Sequence, residues 1–159
     1  MIGIFDRKWL HVEARYNSED FHTASFWLGY NFSGGNEFSY TITPMLGIMI
    51  GNSYGLLPGV GVSLEYKRWS FTNETAIVIY NSFRSEENYI YTSNELDFSI
   101  DEIFYVGISL SRSKIFQSSL ELQKGIGGGF TKGKISASAY IYDLFITQPF
   151  GFLSVTYNF

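Results

Sequence analysis

The chain has 159 residues, enough for one domain, and its lack of cysteine excludes disulfides and thiolate metal sites. Only His11 and His22 are available for an imidazole cage, and a net charge of −4 without a basic cluster excludes a nucleic-acid partner, so no metal or other cofactor is expected. Aromatic residues reach 19 % while charged residues fall to 16 %, well under the roughly 25 % of soluble domains, and no apolar run approaches the ~20 residues of a spanning helix.

Met1-Ile2-Gly3-Ile4-Phe5 runs directly into Asp6, Arg7 and Lys8. An export signal needs an apolar core of about 7–15 residues, so the expectation is a mature chain with an added initiator Met. Alternation with period 2 then predicts ten strands, at 8–17, 21–32, 37–50, 56–67, 69–80, 89–100, 103–112, 117–130, 135–143 and 149–159. The second puts Ala24, Phe26, Leu28, Tyr30 and Phe32 on one face and Thr23, Ser25, Trp27, Gly29 and Asn31 on the other. The third sets Phe38, Tyr40, Ile42, Pro44, Leu46, Ile48 and Ile50 against Glu37, Ser39, Thr41, Thr43, Met45, Gly47 and Met49. The fourth sets Val60, Val62, Leu64 and Tyr66 against Gly59, Gly61, Ser63, Glu65 and Lys67. Tight turns are expected at 33–36, Lys67-Arg68, Asp101-Glu102 and 131–134. The other joints are longer, the longest being 81-NSFRSEEN-88.

Short turns at one end and longer loops at the other suit an all-β, closed antiparallel up-and-down transmembrane barrel. It has one domain over 1–159, ten strands (eight as the fallback), and both termini at the short-turn end. A low-charge chain without a spanning helix has this closed form as its membrane solution. Two observations turn the apolar face outward. Tyr30, Phe32, Phe38, Tyr40, Tyr66, Trp69, Phe71, Phe98, Phe104, Phe130, Tyr157 and Phe159 gather near the short-turn end, as an interfacial aromatic girdle does. The opposite face is Gly, Ser, Thr and Tyr with scattered acids and little Lys, as a lumen is. The chain also ends in Phe159, with Tyr157, Val155 and Leu153 at alternate positions before it. Those last residues resemble the C-terminal signature of Gram-negative outer-membrane barrels, and the size and aromatic-rich hairpins resemble small barrels of Bacteroidota. The resemblance implies a bacterial outer-membrane location, contact with outer-membrane lipid, and docking of the last strand on the barrel-assembly machinery.

The inward face carries Glu13, Arg15, Glu37, Glu65, Lys67, Glu74, Glu95, Asp97 and Glu121. Buried charge is costly unless paired or wet. The leading reading is therefore a side-chain-filled lumen in a structural or accessory membrane component that is not an enzyme. A narrow, porin-like, cation-preferring pore is the alternative, because inward acids outnumber bases. A lipid-modifying enzyme built from His11, Glu13 and Ser25 comes third, and a soluble lipid-binding barrel is the alternative at the level of fold. Omptin-type proteolysis fits poorly, since those barrels raise large loop extensions. His22 is read as facing lipid near the loop end. Two polar features fall on the lipid side. Asn73, Thr75, Thr92 and Asn94 form a patch that is a candidate contact for another membrane protein or a lipid headgroup. Lys124 stands between Leu122 and Ile126, where a β-bulge that turns it inward is the expected remedy.

Overall fold

A computed structural model describes the chain apart from residues 1, 17, 18, 20, 81–87, 116–120, 134, 145–148, 158 and 159. It is all-β: twelve strands form one antiparallel up-and-down sheet, with no helix among the described residues. The strands are β1 (Ile2–Arg7), β2 (Leu10–Tyr16), β3 (Thr23–Tyr30), β4 (Phe32–Gly35), β5 (Phe38–Gly51) and β6 (Gly55–Tyr66). They continue with β7 (Trp69–Tyr80), β8 (Tyr89–Ser99), β9 (Phe104–Ile115), β10 (Glu121–Lys132), β11 (Ile135–Tyr142) and β12 (Phe150–Tyr157). Neighbours in sequence are neighbours in the sheet, and β3 and β4 both pair with β5. β1 and β12 are the two ends of the order, and no pairing joins them among the described residues.

Two prolines shape the ladder. β3 and β4 share one register against β5, with Gly29 opposite Met45 and Phe32 opposite Ile42. The gap between them faces Pro44, which has no N–H to donate. Pro58 interrupts the β6–β7 ladder in the same way, between the Leu56–Ile79 and Gly59–Ala76 pairs. The expected second strand is thus one strand in two pieces, and it runs on through Gly35, so the expected 33–36 turn moves to Asn36-Glu37. Lys67-Arg68 is the expected two-residue turn, with Lys67 at φ 56°. At the Asp101-Glu102 turn the Asp101 carboxylate accepts from the backbone N–H of Ile103 and Phe104, both at 2.7 Å. Those two donors hold its carboxyl below the ordinary value of 3.8.

β1 was not expected. Its alternating stretch has only six residues, and Asp6, Arg7 and Lys8 mask it as a charged leader. A second two-residue turn, Lys8-Trp9 with Lys8 at φ 53°, folds it back onto β2. Ile2 faces Arg15, so β1 begins towards the loop end rather than at the short-turn end that an even count implied. The 81–88 joint lies outside the described residues except for Asn88, whose side chain accepts from the Tyr80 backbone N–H at 2.9 Å.

The sheet curls so that one face encloses an interior, and that face is the polar one. Along β3, Thr23, Ser25 and Trp27 are buried while Phe26 and Leu28 are 50 % and 61 % exposed. Along β5, Thr43, Met45 and Met49 are buried while Ile42, Leu46, Ile48 and Ile50 are exposed. The interior of the loop-end half is filled by Trp27, Met45, Met49, Leu57, Ala76 and Val78, with Tyr80, Tyr89 and Tyr91 packed against them.

Candidate functional site

Alternation along β2 aims His11, Glu13 and Arg15 into the interior, and the curl of the sheet brings β7 and β8 to meet them. Arg15 is the hub. Its Nε and Nη2 donate to the two carboxylate oxygens of Glu13, each at 2.9 Å. Nη2 also reaches Glu74 Oε1 of β7 at 2.7 Å, and Nη1 donates to the Tyr91 hydroxyl of β8 at 2.9 Å. Glu19 Oε1 stands 3.5 Å from Nη1. The guanidinium lies 4.7 Å from the centre of the Trp27 ring, a cation–π contact. Tyr91 closes the circuit by donating to Glu74 Oε1 at 2.6 Å. One guanidinium thus gathers three carboxylates, two of them through hydrogen bonds. Its planar fork suits that better than a lysine ammonium would. Buried charge persists when it is paired: Glu13 and Arg15 are buried and bonded to each other, while Glu74 is a third exposed and, with Glu13, borders a cavity on the short-turn side.

The next layer holds the hub in place. Ser25 donates to Glu19 Oε2 at 2.7 Å, Trp27 Nε1 donates to Ser25 at 3.2 Å, and Tyr89 donates to the Glu19 carbonyl at 2.9 Å. Trp27 lies flat across the sheet because Gly47 and Gly59 leave room. A Cβ on Gly47 would meet the indole at 2.7 Å and one on Gly59 at 3.1 Å. On the short-turn side of Arg15 the interior is different. A cavity of about 610 Å3 is lined by Asp6, His11, Glu13, Asn31, Thr43, Ser63, Thr72, Ser93 and Glu95, among others. Asp6 Oδ1 joins His11 Nδ1 and Asn31 Nδ2, both at 2.8 Å. Asn31 Oδ1 accepts from the Thr43 hydroxyl at 2.6 Å.

The expected charge network is partly redistributed. Glu13, Arg15 and Glu74 converge as described. Glu95 lines the cavity, and Asp97 accepts from the Tyr140 hydroxyl at 2.8 Å. Lys67 is not in the interior: it sits in the β6–β7 turn with its ammonium 5.0 Å from the centre of the Tyr66 ring. Glu65 is exposed at the same end, accepting from Ser39 at 3.3 Å, and Glu37 is exposed in the β4–β5 turn. The Glu121 side chain lies outside the described residues. The sequence reading missed Glu19, Tyr91 and Asp6. Glu19 follows the end of β2, Tyr91 carries no charge to single it out on the inward face, and Asp6 belongs to the unexpected β1.

The His11–Glu13–Ser25 group is not assembled. The register places Ser25 opposite Arg15 and His11 opposite Gly29. His11 Nε2 is 3.5 Å from Glu13, while Ser25 is engaged by Glu19. His22 is not on a strand: it lies exposed in the turn before β3 at φ 53°, edge-on to Phe21 at 5.2 Å.

On the outer face aromatic residues face one another across neighbouring strands from β5 to β8, and again between β9 and β10, with Val106 opposite Phe98 between the two runs. Phe38 faces Tyr66, Tyr66 faces Trp69, Trp69 faces Phe98, and Phe104 faces Phe130. Tyr40, Tyr30 and Phe32 are exposed beside them, and Phe71 and Phe98 are half-buried. Ring pairs include Tyr30–Phe32 at 4.6 Å and Trp69–Phe98 at 4.9 Å. Trp9, which the sequence reading placed inside the first strand, joins the belt by stacking on Tyr30 at 5.6 Å. The Tyr157 side chain and all of Phe159 lie outside the described residues. The Asn/Thr patch is a closed hydrogen-bond set. Asn73 Nδ2 donates to Thr92 Oγ1, the Ser93 carbonyl and Asn94 Oδ1 at 3.0, 3.3 and 2.9 Å. Thr75 and Thr92 pair at 2.8 Å, and Asn94 donates to the Leu110 carbonyl at 3.2 Å. The bulge expected at Lys124 is absent: β10 pairs with β9 without interruption from Glu121 to Phe130, so Lys124 stays on the outer face, exposed. No protein family matches the chain, and comparison with curated proteins and with solved structures finds no relative.

Proposed function

We propose that this is an integral β-barrel of a Gram-negative outer membrane, closed from ten spanning strands. It is non-conducting and acts as a structural or accessory component of that membrane. The observation that carries the reading is the inverted burial: the apolar face is exposed and the polar face enclosed. In water such an exterior would be a large aggregation-prone surface; in lipid it is the required one. The dimensions agree. On β6 the outward run Leu56, Pro58, Val60, Val62 and Leu64 is flanked by Tyr54 and Tyr66. Twelve residues at ~3.3 Å each and ~40° tilt separate those rings by about 30 Å, which fits a membrane-crossing band.

Strand direction favours one way of closing the sheet. Eleven strands lie along the path, so β1 and β12 run the same way, whereas β2 and β12 run oppositely. A ten-stranded antiparallel barrel therefore joins β12 to β2. β1, at six residues, is the shorter of the two candidates beside the seven of β2, and this closure requires it to leave the β2 edge on which it pairs. The Arg15 hub and the packed rings above it support a sealed lumen. The polar cavity of about 610 Å3 on the short-turn side favours a second reading, a narrow cation-preferring pore, whose ions would have to pass the Arg15 guanidinium. Planar-bilayer recording after refolding in detergent separates the two. Silence, with heat-shifted gel mobility as proof of a folded barrel, is the expected result; discrete cation-selective steps would overturn it.

A further inference from the structure

The Asn/Thr patch and Lys124 belong to one feature. The registers of β7, β8, β9 and β10 define rows across the outer face. One row reads Thr75, Thr92, Arg112, Leu122 and the next reads Asn73, Asn94, Leu110, Lys124. The row on the short-turn side is Phe71, Leu96, Ile108, Ile126. These two adjacent rows carry the polar set, and Arg112 and Lys124 within them are diagonal neighbours, a separation of about 7–8 Å between strand positions; the next row towards the loops pairs Ile77, Ile90 and Lys114. Arg112 and Lys124 are both exposed, and among the described residues neither is in an ion pair. The nearby Asp143 is committed to the Lys124 backbone: its Oδ1 accepts from that N–H at 3.1 Å, and its own N–H donates to the Lys124 carbonyl at 2.8 Å.

Height decides what two cations on this face meet. Arg112 lies eight residues from the belt residue Phe104 on β9, and Lys124 six from Phe130 on β10. At ~3.3 Å per residue and ~40° tilt they stand about 20 Å and about 15 Å above the belt. Arg112 is then near the far edge of a hydrocarbon band ~25 Å tall, and the flexible lysine stem lifts its ammonium to the same level. The geometry points to a docking site for the phosphate of an anionic lipid in the loop-end leaflet. Arg112 and Lys124 bind the phosphate; the Thr92 hydroxyl, opposite Arg112, is held by Asn73 and Thr75 and leaves the binding to the two cations. The amides of Asn73 and Asn94 are satisfied among themselves, so they tolerate lipid without needing a partner.

This rests on the membrane reading, and the test separates the two. The full chain is reconstituted in phosphatidylcholine vesicles doped with spin-labelled phosphatidylglycerol or with spin-labelled phosphatidylcholine, and the motionally restricted lipid is measured for each. Two surface cations predict about tenfold selectivity for the anionic label at low salt, lost in the R112Q/K124Q variant, with heat-shifted gel mobility unchanged. A folded, inserted wild type with no anionic selectivity would overturn the lipid site and leave the barrel reading standing. A variant that loses a dimer but keeps its lipid selectivity would assign the surface to a second copy of the chain instead. Failure of the wild type to insert at all would remove both.

Discussion

Arg15 is the residue on which the interior depends. Its guanidinium holds Glu13 and Glu74 by hydrogen bonds at 2.9 and 2.7 Å, so removing it leaves the buried Glu13 carboxylate without its cation. Arg15→Met should destabilise the fold by about 3–5 kcal/mol, read as a lower urea midpoint in detergent. A second residue gives the pH dependence. Asp101 is fully solvent-exposed, and two backbone donors hold its carboxyl below 3.8. The turn is therefore stabilised by the carboxylate above that ordinary value and loses the contribution as pH falls through the lower folded value. Faster amide exchange of Ile103 and Phe104 below about pH 4, absent in Asp101→Asn, is the expected signature. Period 2 made the inward direction of Glu13, Arg15 and Glu74 legible, because alternation fixes the face. It did not reveal their partners. Glu19 follows β2 and Tyr91 lies five strands along the sheet, and a linear pattern carries no information on which strands curl to face each other.

At the scale of elements, the β7–β8 hairpin keeps a polar set on its outer face because its members satisfy one another. Replacing Asn73 alone by Val leaves Asn94 Oδ1 without its donor at 2.9 Å, whereas replacing both removes donor and acceptor together. A double-mutant cycle on Asn73→Val and Asn94→Val should give a coupling of about 0.5–1.5 kcal/mol; zero coupling would mean the pair is ornamental. Gly47→Ala forces a Cβ to within 2.7 Å of the Trp27 ring and should cost about 1–3 kcal/mol by overpacking, seen as a lower unfolding midpoint. The ten expected strands cover β2 to β12, with β3 and β4 inside one of them, and were readable because each expected stretch is long enough to show several alternations. β1 was not, because six residues ending in charge do not establish a period. The bulge forecast at Lys124 does not form: its side chain is exposed on the outer face and the ladder with β9 is unbroken, so nothing in the sheet requires the backbone to kink. Disulfide scanning from Leu153→Cys tests closure. Bonds to β2 positions are expected for ten strands, and bonds to β1 instead would mean an eleven-stranded barrel with one parallel seam.

For the whole molecule, the decisive inference was which face of the sheet is inside. Alternation alone leaves that open, since a soluble barrel and a membrane barrel share the pattern with opposite sense. The crowding of aromatics at one end and the poverty of lysine pointed to an apolar exterior, and the burial of Thr23, Ser25 and Trp27 beside exposed Phe26 and Leu28 has that sense. The filling of the interior was less legible, because packing rings of Tyr89, Tyr91 and Tyr140 and a water-lined channel have the same composition. The chain carries three tryptophans, and they report on the central claim directly. Trp9 and Trp69 are exposed on or beside the belt, while Trp27 is 2 % exposed in the interior. Tryptophan fluorescence in vesicles of lipids brominated along the acyl chain should be strongly quenched in the wild type. It should be nearly unquenched in the W9F/W69F variant, where Trp27 alone emits. A variant quenched as strongly as the wild type, or a wild type quenched only by aqueous iodide, would contradict an apolar exterior embedded in lipid.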